Sequence, residues 1–171
     1  MGVSHGRTVR GELRRIDRGY VFLVSAILLA AGIFTRWISG NPTRTIHTLG
    51  LANVVPPVWI MVILFSASYL TGGLALGSAL GERSVCRPER KYQGAMWFCI
   101  CASLGYAFYP VFFCAELFFC SLVISILCLF CAVCTTVCFA KVSFISFWSM
   151  ILYDAWLVYL LILNFQIFFM I

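Results

Sequence analysis

The stretch that decides the fold is Val54 to Leu80, VVPPVWIMVILFSASYLTGGLALGSAL, in which a proline pair leads into a helix-length apolar run with no charged residue. At 1.5 Å per residue this run reaches about 40 Å, against about 30 Å for the hydrocarbon layer of a bilayer. It is expected to span a membrane and to tilt within it or project beyond it. Pro56 and Pro57 suit the first turn of such a helix, where their missing N–H groups cost nothing.

Working outward, four more apolar runs follow the same logic. The chain has 171 residues, 63% hydrophobic and 11% charged, whereas a soluble domain is roughly half apolar and a quarter charged. The expected spans are about 19–37, 54–80, 94–113, 117–140 and 142–169. They form an all-α membrane bundle of five helices over 19–171, preceded by a basic segment, 1–18. The first run carries straight on to Arg36 with no small-residue cleavage site, so it reads as a retained span rather than a signal peptide. Pro110 and Glu116 are expected to bracket a tight return between the third and fourth spans.

Charge placement gives an orientation. Of the 12 Lys and Arg residues, those at the N-terminus, in the second-to-third loop and at Lys141 fall on one side. Only Arg36 and Arg44 fall on the other. The positive-inside rule then puts the N-terminus in the cytoplasm. The net charge of +6 is clustered near span ends rather than spread along a face that could track a nucleic acid, so no nucleic-acid partner is expected.

Catalytic and metal-binding patterns are sparse. No glycine-rich phosphate loop or pair of carboxylates at helical spacing occurs, and His5 and His47 lie far apart in polar segments. Of 9 cysteines, only Cys86 sits in a polar loop. The stripe Cys128, Cys131, Cys134 and Cys138 has no charged or histidine neighbour in its span and reads as small packing surface. Neither a metal nor a required cofactor is expected, and no nucleophile is placed with a base, so the chain does not read as an enzyme.

Three features bear on function. Gly73, Gly77 and Gly81 recur at the four-residue spacing that lets two helix backbones approach closely, within one chain or across a homodimer. Asp154 falls near the middle of the fifth span, where a carboxylate is costly and either marks a functional path or bonds to a neighbouring helix while protonated. Met61, Phe65 and Tyr69 on the second span, and Tyr153, Trp156, Leu160 and Asn164 on the fifth, each make one stripe deep in the bilayer rather than at its rim.

Those stripes resemble the translocator protein or tryptophan-rich sensory protein family (TspO/MBR), a family of five-helix membrane proteins. The family's second helix opens with a proline pair and continues with residues matched here by Ile60, Met61, Leu64, Phe65, Tyr69, Gly73 and Ala75 without a gap. Its fifth helix carries a Tyr, a Trp three residues later and a Leu-Asn pair, the spacing of Tyr153, Trp156, Leu163 and Asn164. Phe112 and Phe113 resemble the double Phe that closes its third helix. The chain departs from the pattern at Thr45 and Ile46, where the family has Trp-Tyr, and at Phe65, where it has Trp. The third-helix Asn and Trp fall on Gly105 and Phe108, or with a one-residue shift on Tyr106 and Tyr109. Leu152 and Leu160 replace a Pro and a small Ala.

The resemblance implies a receptor or sensor that binds a porphyrin- or haem-type tetrapyrrole, or a similar planar hydrophobic molecule, within the bundle. The bilayer is its main partner, and a bacterial cytoplasmic membrane is the expected location. Met61, Phe65, Tyr69, Phe108, Tyr153, Trp156, Leu160 and Asn164 are the expected ligand-binding residues, with Asn164 offering a polar contact. The added bulk at Leu160 and the lost indole and amide should narrow the pocket. A small transporter or permease component using Asp154 is the alternative, and an accessory subunit packing through its glycines is a third reading.

Overall fold

The computed structural model describes residues 18–39, 55–82, 90–140 and 143–170. The basic segment before Arg18, the first loop with Thr45, Ile46 and His47, the loop holding Cys86, and Lys141 lie outside the described residues. So does the packing around Gly81.

The described residues form five helices: α1 (Arg18–Ser39), α2 (Val58–Glu82), α3 (Arg90–Cys114), α4 (Phe118–Phe139) and α5 (Phe144–Met170). Each contains an apolar window long enough to cross a bilayer, and the chain is an integral membrane protein. A helix satisfies its own backbone hydrogen bonds, which is why these runs fold this way where no water is present to do so.

The helix ends refine the sequence reading. α2 starts just after the proline pair rather than containing it: the Pro57 carbonyl accepts from the N–H groups of Ile60 at 2.9 Å and Met61 at 3.2 Å. Pro57 thus supplies the first acceptor from a position where the helix needs no N–H and proline has none to give. α3 does not turn at Pro110 but runs through it to Cys114. A proline removes one N–H so near the helix end that the remaining turn survives on packing. The return is made instead at Glu116, in a left-handed conformation with φ 60°. There Leu117 N–H donates to Phe112 C=O at 3.1 Å and Glu116 N–H to Phe113 C=O at 3.2 Å, a Schellman cap with glutamate where glycine is usual.

The helices close a ring in the order α1–α2–α5–α4–α3, with α3 returning to α1 and only slight contact between α2 and α3. Small residues make this approach possible: Ala75, Ala79, Ala132, Ser121 and Ser146 are completely buried. Large apolar side chains such as Phe22, Trp97, Phe130 and Phe169 point outward, as suits contact with acyl chains.

The antiparallel α1–α2 pair is the tightest seam. A methyl group on Gly73 would lie 2.5 Å from Ser25 Cα, and one on Gly77 would lie 2.5 Å from Val21 Cα. A methyl on Gly32 would overlap the Tyr69 ring. The glycine spacing of α2 therefore serves a contact within the chain.

Candidate functional site

The interior of the ring is filled by aromatic side chains from α2, α3 and α5. Tyr106, 1% exposed, is its centre. The Phe65 ring stacks on it at 5.4 Å, Tyr69 lies against it at 4.9 Å, and Tyr153 meets it edge-on at 5.8 Å. Trp156 packs edge-on to Phe65 at 5.5 Å.

A directed hydrogen-bond chain orders this cluster. Ser68 Oγ donates to the Phe65 carbonyl at 2.7 Å, which leaves its lone pairs for the Tyr106 hydroxyl, also at 2.7 Å. Tyr106 in turn accepts from the Trp156 indole N–H at 2.6 Å. The Ser68, Tyr106 and Trp156 polar groups each have a partner, as a dry interior requires.

Asn164 is equally occupied. Its Nδ2 donates to Tyr109 Oη at 3.1 Å, Ser125 Oγ at 3.2 Å and the Leu160 carbonyl at 2.8 Å, and its Oδ1 accepts from Ser121 Oγ at 2.8 Å. The amide ties α5 to α3 and α4.

Beside this packed cluster, toward the end of the bundle where α1 and α3 finish and α2 begins, lies a cavity of about 130 Å³ between α1, α2 and α3. Met61, Phe65 and Tyr69 form its α2 wall, Tyr109 and Phe113 its α3 wall, and Gly32 and Arg36 border it from α1. The Tyr69 hydroxyl is buried with the Thr35 side chain of α1 as a polar neighbour.

The structure sorts the eight expected ligand-binding residues into three groups. Met61, Phe65 and Tyr69 line the cavity. Tyr153, Trp156, Leu160 and Asn164 are buried behind it in the aromatic and amide networks, with Trp156 9% exposed and the other three less so. Phe108 faces away from the bundle and is 52% exposed. The inward positions of α3 are Tyr106 and Tyr109, because Gly105 is turned toward α4, where a methyl group would run into Cys128 Sγ.

The α1 wall is absent from the sequence-based site. Its signal is a Gly32-x-x-Thr35-Arg36 cluster, the small and polar residues in the second half of a run whose only earlier polar interruption between Val21 and Ala31 is Ser25.

Asp154 lies on another face. Its Oδ2 accepts from Thr136 Oγ1 of α4 at 2.6 Å, while Oδ1 is buried and unpartnered among the described residues. It does not border the cavity. Cys128 and seven other described cysteines are free.

Compared with known proteins, residues 22–170 match the model of the TspO/MBR family. No curated protein and no solved structure matches the chain.

Proposed function

Because the chain belongs to the TspO/MBR family, we propose that it is a membrane receptor or sensor that takes a planar hydrophobic ligand, of the porphyrin or haem type, between α1, α2 and α3. The observation that carries this reading is the cavity walled by Met61, Phe65, Tyr69, Tyr109 and Phe113, whose rings offer flat faces to a flat molecule.

Its volume of about 130 Å³ falls below the roughly 300–1,000 Å³ of sites that enclose a drug-sized molecule. Entry therefore requires the walls to part. The slightest contact around the cavity is that between α2 and α3, so the walls part there rather than within the tight α1–α2 seam. The reading is one of binding rather than catalysis, since the polar groups deepest in the bundle are committed to the Ser68–Tyr106–Trp156 chain and to Asn164.

Titration of the protein in lipid nanodiscs with protoporphyrin IX tests the proposal. Saturable quenching of tryptophan fluorescence is expected. Phe65→Ala, which removes a ring from the cavity wall, should raise Kd by about tenfold, the equivalent of losing one aromatic contact. Quenching that never saturates and is blind to this substitution would overturn the reading.

A further inference from the structure

The cavity has one charged residue on its border. Arg36 stands in the last turn of α1, half-buried, with the apolar and aromatic wall beneath it. Among the described residues its only polar and electrostatic neighbours are Ser39, which bonds to its backbone carbonyl, and Cys114. Among the described residues no carboxylate is paired with it.

The distribution of acidic residues makes this cation hard to neutralise from within. The chain has 6 Asp and Glu residues. Glu12 and Asp17 precede α1 in sequence, Glu82 is the last residue of α2 and Glu89 follows it in sequence, all on the far side of α1 and α2 from Arg36 along the chain. Asp154 is held in mid-span by Thr136. Among the described acidic residues Glu116 shares the Arg36 end, exposed in the α3–α4 turn. The segment 40–54, which continues from α1, contains no acidic residue.

A guanidinium at the mouth of an aromatic slot is the arrangement that recognises a molecule with an apolar planar body and an anionic group at its edge. The guanidinium fork matches a carboxylate or phosphate in two parallel hydrogen bonds, and the low dielectric at the slot mouth strengthens them. The geometry points to Arg36 as the specificity-determining residue of the site: it selects ligands that carry a carboxylate, or an equivalent oxyanion, over neutral ones of the same shape. This inference rests on the cavity being the ligand site.

Two probes of the same ring system separate the two ideas. Protoporphyrin IX carries two carboxylates, and its dimethyl ester carries none. Each is titrated by tryptophan quenching into wild type, Arg36→Gln and Arg36→Lys in zwitterionic nanodiscs. The readout is the ratio of ester to acid Kd. Differences in how the two probes partition into lipid appear equally in every variant and cancel between them.

The ratio in wild type is expected to exceed that in Arg36→Gln by about tenfold or more, the scale of one charge-assisted contact. Arg36→Lys should fall between them. Ester binding that persists in Arg36→Gln shows that the variant is folded and the slot intact. Equal ratios in wild type and Arg36→Gln overturn the selection by Arg36 while leaving the cavity as a site, whereas failure of both probes to bind wild type overturns the cavity reading itself.

A lipid headgroup could supply the same oxyanion, and a second set of discs containing phosphatidylglycerol distinguishes that source. A wild-type ratio unchanged by the anionic lipid assigns the contact to the ligand's carboxylate. A ratio that falls to the Arg36→Gln value only in those discs shows that an anionic headgroup competes with the ligand's carboxylate for the same guanidinium, and both results support an oxyanion site at Arg36.

Discussion

At the scale of single residues, two positions show how far local chemistry can depart from its usual signal. Glu116 holds a left-handed conformation with φ 60°, which costs a residue with a Cβ roughly 1–2 kcal/mol. The cost is borne because the Schellman bonds of Leu117 and Glu116 finish α3 and aim the chain into α4 within three residues, Ala115 to Leu117. Glu116→Gly should therefore raise stability by about 1 kcal/mol, since glycine reaches this conformation without strain. The check is the midpoint of thermal or denaturant unfolding in detergent, and a lower midpoint would contradict the cap described here. Asn164 departs in the other direction. An amide deep in an apolar span invites the reading of a ligand contact, and its four hydrogen bonds to Tyr109, Ser121, Ser125 and Leu160 make it a fastener instead. Sequence could not separate the two, because both uses need the same residue at the same depth, and only the hydroxyls on α3 and α4 decide between them.

At the scale of helices, small residues set the distances. Gly77 lies so close to α1 that a methyl group would stand 2.5 Å from Val21 Cα, a backbone atom that cannot swing aside. Gly77→Leu must push the two helices apart and is expected to cost roughly 2–3 kcal/mol, in the range of overpacked interiors. Gly94, with open space around its would-be methyl, should accept alanine with no loss or a gain of about 0.5–1 kcal/mol. Unfolding midpoints of both variants in the same detergent check the contrast, and equal effects would show that α1 and α2 are not in backbone contact. The glycine spacing and the five spans were legible because each depends on a pattern within one helix. The facing of α3 was not, because Tyr106, Phe108 and Tyr109 put aromatic rings on both sides of it and no apolar-to-polar gradient marks the inner one. Its orientation is fixed by contacts from elsewhere, with Gly105 against Cys128 of α4 and Tyr106 against Ser68 and Trp156. The same holds for α1: that Arg36 borders the cavity depends on how α1 lies against α2 and α3, which no feature within α1 reveals.

At the scale of the whole molecule, the ring is unevenly built. α4 and α5 bury eight and ten residues and are tied to each other and to α3 through Asn164, Asp154 and a row of serines and threonines. α1 buries two, and it is held chiefly by its close seam with α2. The cavity lies where the α1–α2 pair meets α3, and α2 and α3 make only slight contact, so the space that a larger ligand needs is gained by parting this pair from α3 rather than by opening the α3–α4–α5 core. Segments with few buried contacts open at lower free energy, and a ligand that binds the opened form and then fills it should restore order there. Hydrogen–deuterium exchange in nanodiscs should therefore show the second half of α1 and the first turns of α2 exchanging faster than α4 and α5 in the free protein. Saturating protoporphyrin IX should slow exchange over about Leu29 to Ser39 and Val58 to Tyr69 and leave α4 unchanged. Protection centred on α4 and α5 instead would mean that the ligand enters beside Trp156, through the core, and that the cavity bordered by Arg36 is not its door.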